Sequence, residues 1–120
     1  MCIVFMPYPP ESQIRLPLLK SAKDKKIHSV LVVEKFLGDY FKLNSSEKTR
    51  IKKSGGERLF LHRIRWSRTN LKYAKLLEYP NPGFYKITSR GSKVLEKNPK
   101  HLDDSFLSQF IEFRTWRRRK

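Results

Sequence analysis

The sequence predicts a mainly α-helical domain carrying one small β-hairpin. Three observations carry that prediction. Apolar residues recur at three- and four-residue spacing along most of the chain, and the longest such stretch, residues 57–77, contains neither Gly nor Pro. The turn Pro80-Asn81-Pro82-Gly83 then separates two short aromatic or β-branched runs. The chain has 120 residues, 38% of them apolar, with 8 Phe, 5 Tyr and 2 Trp among them. That length suits one domain with its own core. A single cysteine, Cys2, excludes an internal disulfide framework and a cysteine-rich zinc site.

Residues 1–10 are expected to form a flexible leader. Met1–Met6 is apolar but lacks a basic start and runs into Pro7, Pro9 and Pro10. A signal peptide needs about 7–15 apolar residues behind a charged start, and a membrane span about 20. No membrane element is therefore expected. Ile14, Leu18, Leu19 and Ala22 then mark a first helix over residues 11–24, which Pro17 either kinks or begins. Asp24-Lys25-Lys26 is a turn and Ile27-His28 an extended stub, with His28 capping or packing near the next helix. Ser29 is a good N-cap, and Val30, Val33, Phe36, Leu37, Tyr40 and Phe41 form a wide stripe over residues 29–41. A short helix follows from Asn44 or Ser45 and ends at the breaker Ser54-Gly55-Gly56.

The long helix over residues 57–77 has two unlike faces. Phe60, Ile64, Ser67, Leu71 and Ala74 step by 4, 3, 4, 3, and Arg58, His62, Arg65, Thr69 and Lys72 repeat the same steps on the opposite side. One face is core, the other cationic and hydrogen-bonding. Glu78-Tyr79 and residues 84–88 make the hairpin. Ser89 is expected to cap a helix reaching Leu95 and Lys97 before Asn98-Pro99. Leu102, Phe106, Phe110 and Phe113 mark one last amphipathic helix, expected to pack on the domain because its aromatic face is too apolar for water. The domain is expected over residues 11–114, with 115–120 a basic tail opening a linker.

Charge points to the partner. Lys and Arg total 27 against 11 Asp and Glu, a net charge of +16. Residues 1–57 carry 11 basic and 6 acidic side chains, net +5; residues 58–120 carry 16 and 5, net +11. Basic residues concentrated in one part of a chain are the footprint of a nucleic-acid surface. Three helices, the last long and basic, followed at once by a hairpin, is the order of a winged helix-turn-helix domain. There the last helix enters the major groove and the hairpin rests on the backbone beside it.

The strings Ser54-Gly55-Gly56-Glu57-Arg58-Leu59-Phe60, Arg63-Ile64-Arg65-Trp66-Ser67 and Leu71-Lys72-Tyr73-Ala74-Lys75-Leu76-Leu77 resemble the N-terminal domain of the Mrr-type restriction endonucleases. Gly83-Phe84-Tyr85-Lys86-Ile87-Thr88, Arg90-Gly91 and Val94-Leu95 extend the likeness, as do Leu16-Pro17-Leu18-Leu19 and Ile27-His28-Ser29. The resemblance covers residues 8–114. It implies a winged-helix DNA-recognition domain joined by a linker to a metal-dependent nuclease domain that cuts methylated DNA. The nuclease half is not in this sequence, which makes it either an excised domain or a stand-alone reading frame. A second departure is Lys75-Leu76, where family members often carry a glycine before the hairpin.

No catalytic site, metal or cofactor is expected. A nuclease of that type needs carboxylates around a hard cation and a nearby Lys. The one matching triplet, Asp24-Lys25-Lys26, lies on an expected turn. His28, His62 and His101 have no neighbouring His or Cys in sequence. The expected DNA contacts are Arg58, His62, Arg65, Thr69 and Lys72, the first three nearest the helix start and so nearest base edges. Arg63 either joins them or bridges to another element, and Arg68 either joins them or pairs with an acid such as Glu34. Lys86 and Arg90 flank the hairpin and suit backbone contact, while Trp66 is expected to be structural. The reading is a cytoplasmic, nucleoid-associated domain that binds double-stranded DNA. The alternatives are a winged-helix transcriptional regulator, as a homodimer on an inverted repeat, and a protein-interaction module.

Overall fold

The computed structural model describes residues 8–52 and 55–119. Cys2, the apolar Met1–Met6 and Ser54 of the breaker lie outside the described residues. The elements run α1 (Glu11–Ser21), β1 (His28–Ser29), α2 (Val30–Tyr40), α3 (Ser45–Thr49), α4 (Leu59–Tyr73), β2 (Leu77–Glu78), β3 (Phe84–Ile87), α5 (Ser89–Glu96), α6 (Asp104–Leu107) and α7 (Ile111–Arg118). The fold is mainly α with a small antiparallel sheet, as the periodicity predicts.

The core forms where the helical stripes meet. Ile14, Leu18 and Leu19 of α1, Val33 and Leu37 of α2, and Phe60, Ile64 and Leu71 of α4 are all buried. α1 crosses α4 along most of its length and carries Pro17 inside it. Ser29 caps α2 through the Val32 amide. Asn44 caps α3 in a full capping box, its side chain on the Glu47 amide and the Glu47 carboxylate on the Asn44 amide. Of the residues expected in a leader, Tyr8–Pro10 are described, and they pack. Tyr8 meets Phe60 edge-on at 6.1 Å, and the Pro9 carbonyl accepts from Arg63.

The structure departs from the sequence reading in several places. The Ile27-His28 stub becomes a third strand: His28 pairs with Tyr85 and Ser29 with Phe84, giving the sheet order β1-β3-β2. α4 is shorter than residues 57–77. It starts after Arg58, which forms a bridge with Ile51, and it ends at Tyr73. Lys75 then takes φ +64°, a left-handed residue that turns the chain so that Leu77 and Glu78 pair with Ile87 and Lys86. That is the conformation glycine adopts most readily. Thr88, not Ser89, caps α5 through the Gly91 amide. The expected last helix is two helices. Phe110 is extended between them; Leu102 and Phe113 of the expected stripe are buried, and Leu107 is buried with them, while Phe106 and Phe110 are only partly covered. Position 115, where the basic tail is expected to begin, lies within α7.

α5 is pressed against the start of β2 at Gly91. A β-carbon there meets the Leu76 carbonyl oxygen inside van der Waals contact and lies 2.7 Å from the Ile87 side chain. The Leu76 carbonyl is itself held by the Thr88 amide and hydroxyl. Gly91→Ala is expected to destabilise the domain by about 1–3 kcal/mol, the usual cost of forcing extra atoms into a packed contact. Thermal unfolding checks this; an unchanged midpoint refutes the close approach.

Candidate nucleic-acid interface

The outer face of α4 carries His62, Arg65, Thr69 and Lys72, while Arg58 stands just before the helix. At the N-terminal end, Glu57 stands just outside the helix and gathers cations. Its Oε1 lies 2.7 Å from His62 Nδ1 and 3.6 Å from Lys52 Nζ, and its Oε2 3.5 Å from Arg65 Nη1. The His62 hydrogen bond, followed by the Arg65 and Lys52 charges, holds the Glu57 carboxyl below its ordinary value against a smaller opposing effect of burial. Arg58 is turned sideways into a bidentate pair with Glu34 of α2, at 2.8 and 2.6 Å. Glu34 is therefore taken by Arg58 and not by Arg68.

The middle of the helix meets the hairpin. Thr69 Oγ1 donates to the Arg65 carbonyl at 3.0 Å and accepts the Tyr79 hydroxyl at 3.2 Å. Tyr79 lies in the turn after β2, and its ring takes Arg68 at 4.2 Å and Lys72 at 4.6 Å from the centroid. Arg68 Nε and Nη1 are buried with no hydrogen-bond partner, so the π-face of Tyr79 is what compensates that guanidinium. Arg65, 52% exposed, is the most open basic side chain of α4.

The remaining expected contacts have structural partners. Arg63 donates to the Pro9 carbonyl at 2.8 Å and lies over Tyr8. Lys86 faces Glu78 across the β2–β3 pair. Arg90 donates to the Ala74 carbonyl and holds both Glu112 oxygens, at 3.0 and 3.2 Å. Arg68, Thr69 and Lys72 thus come together with Tyr79, and His62 and Arg65 with Glu57, while Arg58, Arg63 and Arg90 tie elements to one another. Tyr79 as the shared ring and Glu57 as the hub went unread in the sequence. The signal for Glu57 was there: an acid five residues before His62, at the one break in a purely basic run.

On the other flank of α4, Trp66, Asn70, His62 and Arg63 line a cavity of about 370 Å³ with Glu11, Trp116 and Arg117. Among the described residues no three His, Cys, Asp or Glu side chains cluster to hold a metal ion, and no helix is long and apolar enough to cross a membrane.

A mainly helical domain with a basic helix set against a three-stranded sheet is the class this geometry defines. Residues 12–97 match the family of the Mrr N-terminal domain, and the chain belongs to that family. The membership associates it with the Mrr-like restriction endonucleases; no catalytic domain is matched. No curated protein and no solved structure matches the chain.

Because its pKa is depressed on folding, Glu57 contributes stability that is fully present above its ordinary value of 4.5 and is lost as pH falls through the lowered folded value. Carboxyl titration by NMR is expected to place its midpoint below 4.5, and Glu57→Gln to remove that share of the acid-side loss of stability.

Proposed function

We propose that this chain is the double-stranded-DNA-binding part of an Mrr-like restriction endonuclease, working in the cytoplasm on the nucleoid. The observation that carries the reading is the cationic, hydrogen-bonding face of α4 with the β2–β3 hairpin packed against its flank through Tyr79. The order α1-β1-α2-α3-α4-β2-β3, with the long basic α4 running directly into the hairpin and β3 central in the sheet, supports a winged helix-turn-helix architecture. In that architecture α4 enters the major groove and the hairpin lies on the backbone. His62, about one turn into the helix, and Arg65, nearly two turns in, reach base edges. Lys72 meets phosphate, with Lys86 beside it on the hairpin. The net charge of +16 supplies the long-range attraction.

Cleavage belongs to a catalytic domain separate from the matched residues. A hard cation needs several carboxylates together, and here they are taken singly: Glu34 by Arg58, Glu57 by His62, Glu112 by Arg90, Asp39 by Lys48. A second reading, a protein-interaction module, is favoured by one observation. The outer side of α2 leaves Val32, Phe36 and Tyr40 more than half exposed.

Fluorescence anisotropy on labelled duplex over a salt series tests the first reading. If about six phosphates are neutralised, log K falls against log salt with a slope near −5. Arg65→Glu with Lys72→Glu is expected to cost roughly ten-fold or more in affinity, with an unchanged unfolding midpoint. No binding at low salt, or a flat salt response, rejects DNA binding and leaves the α2 face as the functional surface. A methylated duplex run beside the unmethylated one tests the modification reading.

A further inference from the structure

Residues beyond 97 lie outside the matched domain, yet α7 is seated firmly on α4. Trp116 stacks on Tyr73 with centroids 4.3 Å apart and planes 3° apart, and Phe113 beneath it is 1% exposed. Arg117 lies over both the Phe113 and Trp116 rings and donates to Asp104 at 3.1 Å and to Asn70 of α4 at 3.4 Å. Arg90 grips Glu112 from the opposite side. With Phe113 buried and Trp116 stacked, the rotation of α7 is set. At 100° per residue, Arg118 then points away from the core, and Arg119 falls on the side of Glu112. Arg119 and Lys75 line one depression with Tyr73 and Trp116 between them. Arg118, Arg119 and Lys75 are all exposed. The acids nearest them are already engaged, Glu112 by Arg90 and Asp104 by Arg15 and Arg117.

α4 therefore has two flanks. Arg68, under the Tyr79 ring, and Tyr73, under Trp116, stand about 140° apart around the helix axis. One flank is covered by the hairpin, the other by the last turn of α7, and both edges are basic. We propose that this last turn is a second clamp on the duplex. Arg118 and Arg119, with Lys75, bind the phosphodiester backbone on the side of α4 opposite the hairpin, so the DNA surface extends past the matched domain. The proposal rests on the DNA-binding reading above.

The test is the salt dependence of duplex binding by the full chain, by Arg118→Gln/Arg119→Gln, and by the charge-matched control Lys20→Gln/Lys23→Gln. The control lysines are exposed and line a depression with Leu95 and Asn98, away from α4 and α7. The α7 pair is expected to make the log–log slope shallower by about two and to weaken binding roughly ten-fold near 0.15 M salt. The control is expected to change neither, and both variants to keep the wild-type unfolding midpoint. Wild-type binding with the α7 pair unaltered, or with both pairs shifted equally, overturns the clamp while DNA binding stands. No binding by the wild-type chain overturns DNA binding and the clamp together.

Discussion

The arrangement depends on one buried guanidinium. Arg15, 2% exposed, sits among α1, α4 and α6. It takes both Glu11 oxygens at 2.7 and 2.8 Å, the Leu102 carbonyl at 3.1 Å and Asp104 at 2.8 Å. Burial acts to lower its pKa, and the Glu11 and Asp104 carboxylates outweigh burial and raise it. A desolvated arginine costs several kcal/mol unless its fork is satisfied and its charge matched, so the network specifies one geometry. Ser67 of α4 extends it by donating to the Glu11 carbonyl and carboxylate, and Arg117 of α7 by donating to Asp104. The side chain that locks α1 thus also determines where the α6–α7 segment lies against α4.

The same logic governs the acids. With 27 basic residues against 11 acidic ones, acids are scarce, and several are spent on ties between elements: Asp104 to Arg15, Glu34 to Arg58, Glu112 to Arg90. Cohesion and surplus charge follow from one distribution. Arg58 and Arg90, which join elements, are paired with acids, while Arg118 and Arg119 at the end of α7 face water. Glu57 is the exception, an acid placed among the cations of the candidate interface. It tempers the repulsion among Lys52, His62 and Arg65 in the free protein.

Much of the fold was legible because its signals are local. The two faces of α4, the Ser29 cap and the Pro80–Gly83 turn each follow from residues within a few positions of one another. What could not be read is non-local. Ile27-His28 read as extended, but its partners Phe84 and Tyr85 lie more than fifty residues away. Arg15 went unread in the sequence, because its burial comes from Leu102 and Asp104, almost ninety residues further on. In the candidate site the helical period placed Arg65, Thr69 and Lys72 on one face. It had no means of showing that Arg58, Arg63 and Arg90 are drawn off to Glu34, Pro9 and Glu112.

The cavity beside α4 has a spectroscopic meaning. Trp66 and Trp116 are the chain's two tryptophans, and both line it, with Asn70, Arg63 and Arg117 around them. All the indole emission of this protein therefore originates on one flank of one helix, the flank against which α7 is stacked. The molecule carries a built-in optical label there, and a displacement of α7 from Tyr73 changes the surroundings of one of its two emitters directly.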